Sequence, residues 1–236
     1  DRAEEAVGPL AGRRLLDVAT GTGSVAIEAA RRGATVVGVD VTDELVEIAT
    51  ARAADAGVEV RFEIGDFDRL DVILGETGFD VITSSFGVIF APDPSSTLAG
   101  LRQLLAPGGV IGVAGWDPDG VFVVPESMLE LLPERPAMPD MATWTTAIGS
   151  LAERAGCEVL SSEAGELVIP FGSVDDGAEQ LERWSGGWGQ LLELFDSIGV
   201  GDDARARFVD HLDAFSSDGD SGIVLHATFH TSVLGR

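Results

Sequence analysis

Residues 17–24, Asp-Val-Ala-Thr-Gly-Thr-Gly-Ser, combine two glycines spaced i, i+2 with an acidic residue four positions before the first of them. Glycines so spaced let the main chain approach a ligand closely, and a helix beginning beyond them presents N–H groups with no partner of their own. Asp40 closes the apolar run that starts at Thr35, where a carboxylate can accept both hydroxyls of a ribose. Gly65-Asp66-Phe67 ends a third extended run. A carboxylate there can take an adenine amino group, and an aromatic ring can cover the base. Three segments of these types in this order describe a nucleoside cofactor. The short form Gly21-x-Gly23-x-x-Ala26 fits a nicotinamide dinucleotide as well, but Asp17 speaks against it, because nicotinamide loops usually run straight from an apolar strand into the first glycine.

The chain has no Tyr and no Lys, so a general base must be His, Asp, Glu or water. Two weak candidates stand out. His211 flanks a Phe208, Leu212, Phe215 stripe, and Asp117 directly follows the fifth apolar strand. Both also have a structural reading, as a packed helix histidine and a turn residue. His226 and His230 share one face of the last strand. Four residues at ~3.4 Å each is about 13 Å, too far to share a metal, and both are read as structural. No metal site is expected. Cys157, the one cysteine, reads as a buried hydrophobe that forms no internal disulfide. Trp116, Phe122, Trp184, Trp188 and Phe195 read as core or as the wall of an apolar pocket.

The elements that must hold these residues alternate through the first half. Apolar strands are expected at 14–19, 35–40, 58–64, 79–84 and 110–116, with helices at about 23–32 and after Thr42, a plausible N-cap. A further helix carrying Leu98, Leu101, Leu104 and Leu105 is stopped by Ala106-Pro107-Gly108-Gly109. Strand–helix alternation with continuous apolar strands predicts a parallel sheet covered on both faces. Right-handed crossovers then make it doubly wound, with ligands beyond the strands' C-terminal ends. From Asp117 to Asp140, five of the ten prolines mark an irregular insertion. A helix with Trp144, Ile148, Leu151 and Ala155 closes at Gly156, Cys157 to Phe171 forms one or two strands, and two or three helices occupy 173–215. The final strand, from Ser221 to Leu234, alternates Leu225 and Ala227 against Val224 and His226.

Composition bounds the function. The 236 residues carry 40 acidic and 15 basic side chains, all of the latter Arg, for a formal net charge of −25. A field this negative repels polyanions and anionic membranes, so no nucleic-acid or membrane partner is expected. At 45% apolar residues the chain has ample material for a core. No apolar run reaches the ~20 residues of a membrane span, and the charged Asp1-Arg2-Ala3-Glu4-Glu5 is not a signal peptide, so a cytoplasmic location is expected.

The residues Leu16 to Gly23, Val39-Asp40, Gly65-Asp66-Phe67, Phe79-Asp80-Val81-Ile82 and Leu105 to Gly109 come in the order and spacing of a known family. The chain resembles the class I S-adenosylmethionine-dependent methyltransferases, among them the bacterial small-molecule and quinone-type enzymes, over about residues 14–116. The resemblance implies an α/β, doubly wound Rossmann-like seven-stranded sheet, mostly parallel with an antiparallel last strand and helical insertions. It implies a single domain over 1–236, with a cofactor-binding core at about 13–116 and substrate-side insertions at about 117–143 and 172–219. Asp17, Ala19, Thr20, Gly21 and Gly23 match the loop that holds the methionine moiety. Asp40 matches the ribose ligand, with Val41 beside the adenine, and Asp66 and Phe67 match the adenine contacts. Ser84 and Ser85 match positions facing the methyl group and substrate. The implied reaction is methyl transfer from S-adenosylmethionine to a small, hydrophobic metabolite, releasing S-adenosylhomocysteine, with O-, C- and N-methylation all open. Ser84-Ser85-Phe86-Gly87 differs from the Asn/Asp-Pro-Pro-aromatic tetrad of nucleic-acid amino-methyltransferases of this fold. Family members also carry a helical N-terminal segment over the cofactor; only some fourteen residues precede the first strand here, and further residues are expected before Asp1. The rival readings are a cyclase or pericyclase on the same fold, an NAD-dependent oxidoreductase and a non-catalytic scaffold. Oligomeric state stays open, a dimer included.

Overall fold

The computed structural model describes residues 2–135, 140–184, 186–220 and 222–236. Its elements run α1 (Arg2–Val7), β1 (Arg14–Val18), α2 (Ser24–Arg31), β2 (Thr35–Asp40), α3 (Asp43–Asp55), β3 (Val60–Ile64), α4 (Leu70–Leu74), β4 (Phe79–Ser85), α5 (Pro94–Leu104) and β5 (Leu105–Trp116). There follow α6 (Glu126–Leu129), α7 (Met141–Trp144), α8 (Ile148–Ala155), β6 (Glu158–Phe171), α9 (Val174–Trp184), α10 (Gly186–Ser197), α11 (Gly201–Ala214), β7 (Ser216–Gly219) and β8 (Gly222–Gly235).

One sheet runs β3-β2-β1-β4-β5-β8-β6. Its first five strands pair in parallel, with Leu16 opposite Val37 and Asp17 opposite Thr83. β1 and β2 bury Leu15, Leu16, Val18, Val36, Val37 and Val39, as expected of strands covered on both faces. β3 sits at the edge and alternates with the charged Arg61 and Glu63, which keeps that edge from pairing further. After β3 the chain returns to the other side of β1, so the winding reverses between β1 and β4. Ligands of such sheets bind at that reversal, beyond the strand ends.

Among the described residues the expected seven strands become eight. β7, Ser-Ser-Asp-Gly, pairs antiparallel with β8 from Ser216–Leu225 to Gly219–Gly222. It carries no apolar alternation, so only its backbone pairing identifies it. The helix expected over 144–155 is two helices, α7 and α8, broken at Thr145. Thr42 occupies the N-cap of α3 without a side-chain capping bond; its N–H instead donates to Asp40 Oδ1 at 3.0 Å. The Pro107-Gly108-Gly109 breaker lies inside β5, where the register slips opposite Phe79–Val81. A side chain at Gly109 would meet the Phe79 carbonyl at 2.8 Å, so only glycine allows that approach.

The chain divides into two compact units. The first comprises residues 1–115, 139–164 and 230–236; the second comprises 116–138 and 165–229. In the first, Leu10, Leu15, Ala26, Ala29, Val36, Val81, Val110 and Val233 form one core cluster, with Ala3 and Val7 of α1 packed on it. In the second, Phe171, Leu181, Trp188, Leu192, Phe195, Phe208 and Leu212 form another. Burying each of these large side chains contributes about 1.5–3 kcal/mol. Among the described residues no helix is long and apolar enough to cross a membrane.

Candidate functional site

β1 ends in Asp17-Val18, and the chain turns through Ala19 (φ 53°), Gly21 (φ 55°) and Gly23 (φ 79°) into α2. The turn is tied down from several sides. The Thr20 N–H donates to the Val39 carbonyl at 3.0 Å, the Gly21 N–H donates to Asp40 Oδ2 at 2.7 Å, and Arg52 of α3 donates to the Thr22 carbonyl at 2.8 Å. The Asp40 carboxylate, 7% exposed, thus fixes both the glycine loop and the start of the next segment at Thr42.

Asp17 is buried below this loop. Its carboxylate accepts the hydroxyls of Thr20 at 2.6 Å and Thr83 at 2.7 Å, together with the Ala26 N–H in the first turn of α2. Burial pushes its pKa up to about 6, against these hydrogen bonds, which favour the charged form. A carboxylate from the chain itself therefore sits at the positive end of α2.

A cavity of about 250 Å³ opens beside the loop, lined by Val18, Ala19, Val39, Asp40, Val41, Gly65, Asp66 and Phe67. Its size falls just under the ~300–1,000 Å³ of typical small-molecule pockets, which suits one end of a nucleoside cofactor rather than the whole. Val41 is 69% exposed at its rim. Asp66 is exposed and Phe67 half-buried. Five of the residues read from sequence, Ala19, Asp40, Val41, Asp66 and Phe67, are thus brought to one cavity. Thr20, Gly21 and Gly23 form the adjoining loop, and Asp17 lies beneath it.

Ser84 and Ser85 part company. Ser84 is 1% exposed, and its hydroxyl accepts the Val88 N–H at 3.1 Å within its own loop, whereas Ser85 is exposed. The chain then passes through Phe86 at φ 62°, which with Ala19 is one of two non-glycine residues at positive φ among those described. A Cβ on Gly87 would fall 2.2 Å from that of Ala19, so the loops after β1 and β4 touch where the sheet reverses. Thr83, Arg52 and Gly87 were missed in the sequence. Thr83 becomes visible only through the register that sets it opposite Asp17.

The two weak base candidates belong to the second unit. The His211 ring packs edge-on to Phe215 at 5.1 Å, and its Nε2 lies 2.9 Å from the Val121 carbonyl. A carbonyl only accepts, so Nε2 carries the proton. Burial lowers the His211 pKa, opposed by that bond. Asp117 Oδ1 accepts the Asp119 N–H at 3.0 Å, closing its own turn. Trp188 and Phe195 are core, and Trp116 and Phe122 pack against it with ring centroids 4.3 Å apart. The Trp184 side chain lies outside the described residues, as does Ser221, the expected start of the last strand. Cys157 is half-buried and its pKa is raised by burial.

A family model described as a methyltransferase domain matches residues 15–109. Two uncharacterised proteins of Mycobacterium tuberculosis are similar to the chain. One is 37% identical over 193 residues, covering 79% of this chain and 68% of that protein. The other is 36% identical over 146 residues, covering 60% and 51%, so the match spans about half of that relative's length. Nocamycin O-methyltransferase of Saccharothrix syringae is 28% identical over 84% of this chain and 66% of its own. In fold, a putative methyltransferase of Bacillus halodurans superposes with a TM-score of 0.64 at 16% identity, over 99% of this chain and 96% of that one. The chain belongs to the class I S-adenosylmethionine-dependent methyltransferases.

Proposed function

We propose that the protein transfers a methyl group from S-adenosylmethionine to a small, hydrophobic metabolite. The observation that carries this reading is the 250 Å³ cavity that gathers Asp40, Val41, Asp66 and Phe67 around the glycine loop. Asp40 spends one bond on Gly21 and one on Thr42, leaving lone pairs on both oxygens for the two ribose hydroxyls. Val41 and Phe67 offer apolar surfaces to the adenine ring, and Asp66 an acceptor for its amino group. The Ala19–Gly23 turn offers main-chain groups to the methionine end. The occupied end of α2 favours this reading over a dinucleotide, whose diphosphate takes that place in nicotinamide proteins.

S-adenosylmethionine supplies a methyl group already activated by its sulfonium. The task left to the chain is alignment of the acceptor, worth up to ~7–11 kcal/mol, and exclusion of water. Where the acceptor is a hydroxyl or a carbon acid, a positioned base adds about 10²–10⁴-fold. The name of the Saccharothrix relative supports a small-molecule acceptor. The charge of −25 supports a partner other than nucleic acid.

Calorimetric titration with S-adenosylmethionine, S-adenosylhomocysteine and NADH tests the reading. Micromolar binding of both sulfur nucleosides is expected. Binding of NADH alone overturns it. Release of labelled methyl to an acceptor then separates methyl transfer from a cyclase that keeps the same pocket.

A further inference from the structure

Three polar side chains of the second unit stand in a row across three strands. His226 on β8 meets Glu166 of β6 through Nδ1 (2.9 Å to Oε1) and Ser217 of β7 through Nε2 (2.9 Å to Oγ). In the neutral ring the partners fix the tautomer. A carboxylate only accepts, so Nδ1 carries the proton and donates it to Glu166. Nε2 is left with its lone pair and accepts the Ser217 hydroxyl. Nucleophile, base and base-orienting carboxylate are thus joined in that order, which is the arrangement that activates a hydroxyl for attack on an acyl carbon.

We propose that Ser217, His226 and Glu166 form an acyl-transfer site that hydrolyses small activated esters, separate from the nucleoside cavity of the first unit.

The fold supplies this geometry through strand register. Ser217 pairs with Val224, two residues from His226 on the same face of β8, so the serine and the histidine are diagonal neighbours. The His226 N–H donates to the Phe215 carbonyl at 3.0 Å, which anchors β8 against the segment entering β7. From that bonded pair the antiparallel alternation makes Ser217–Val224 the next one. It turns the N–H groups of Ser216 and Asp218 outward, along the edge of β7 away from β8. The Asp218 N–H, one residue after the nucleophile, is the donor available to an oxyanion formed on Ser217.

The substrate class follows from the surroundings. The His226 and Glu166 side chains are 39% and 49% exposed, open to a reagent from solvent. Val168, two residues beyond Glu166 on the same face and 55% exposed, and Val224 give an apolar footing for a short acyl chain. The acidic chain disfavours anions. The site therefore takes neutral or cationic short-chain esters with a good leaving group. In the first step the Ser217 Oγ–acyl bond forms, its proton passes to His226 Nε2, and the ester C–O bond breaks as the leaving oxygen takes that proton. In the second step water attacks the acyl-serine, giving its proton to His226, which returns one to Oγ as the carboxylic acid departs.

Full-length protein is treated with a fluorophosphonate probe and, separately, with p-nitrophenyl acetate. The expected results are one adduct, mapped by mass spectrometry to the Ser217 peptide, and hydrolysis reduced at least about 100-fold in both Ser217→Ala and His226→Ala, the scale of a positioned base. Glu166→Gln slows hydrolysis less and keeps the adduct. No adduct, or an adduct on another residue, overturns the proposal. So does hydrolysis that survives Ser217→Ala, including the case where it depends on His226 alone, which reduces the row to a free imidazole and a cross-strand tie. Circular dichroism checks that each variant is folded, and the wild-type adduct map decides by itself if one is not.

Discussion

Seven polar side chains are buried among the described residues: Asp17, Thr20, Asp40, Ser84, Thr97, Thr145 and Ser232. All belong to the first unit. The second unit buries apolar side chains, and its polar side chains are at most partly buried. There Arg205 of α11 reaches Asp196 of α10 at 2.7 Å and Glu182 of α9, binding three helices through a partly exposed network. The Ser217–His226–Glu166 row is likewise on an open sheet face. A buried polar group costs several kcal/mol unless its bonds are made, so each such position constrains its neighbours. The first unit accepts that constraint to hold two loops in place. The second is held mainly by shape and hydrophobicity.

Four measurements test this contrast, in order of decreasing effect. Phe208→Ala, in the apolar core of the second unit, is expected to lower unfolding free energy by about 3–5 kcal/mol in urea titration while leaving S-adenosylhomocysteine affinity unchanged. A large loss of affinity would show that the two units do not divide the work in this way.

Asp17→Asn tests the first unit through pH. The Asp17 carboxyl has an ordinary value of 3.8 and a folded value of about 6. Well below pH 3.8 it is neutral folded and unfolded and imposes no penalty. As pH rises the unfolded chain ionises first, so stability falls until about pH 6, a change of about 3 kcal/mol. Chemical denaturation from pH 4 to 7 should show this slope in wild type and a flatter one in the variant.

Asp40→Ala removes the proposed acceptor of both ribose hydroxyls and the tie to Gly21. It should weaken S-adenosylhomocysteine at least about 100-fold by calorimetry, the loss of two hydrogen bonds to a charged group. The smallest effect belongs to His211→Gln. Burial lowers the His211 pKa, so its contribution is present above the unfolded value near 6.5 and is lost as pH falls below it, opposite in sign to that of Asp17. The variant should lose less stability than wild type between pH 7 and 5.

The strands of the first unit were legible because Leu15-Leu16, Val36-Val37 and Val81-Ile82 are continuous apolar runs bounded by glycine or charge. Asp40, Asp66 and Phe67 were legible because strand ends of this alternation point to one side. Thr83 was not, since its pairing with Asp17 depends on a register that spans 66 residues of sequence. Nor was the burial of the Ser84 hydroxyl, which depends on the turn to Val88. β7 was missed because Ser-Ser-Asp-Gly has the composition of a turn, and only the facing strand makes it extended. His226 was read alone, against His230. Its two partners come from strands 9 and 60 residues away.

The contact between Gly87 and Ala19 has a consequence for anyone recombining this chain with its relatives. The loops after β1 and β4 interlock like adjoining teeth, one lacking a side chain where the other carries a methyl. A glycine loop transplanted from another member with a larger residue at position 19 would collide with the resident partner. Although three strands of the sheet separate them in chain order, the two loops form a single cassette, to be grafted together or left together.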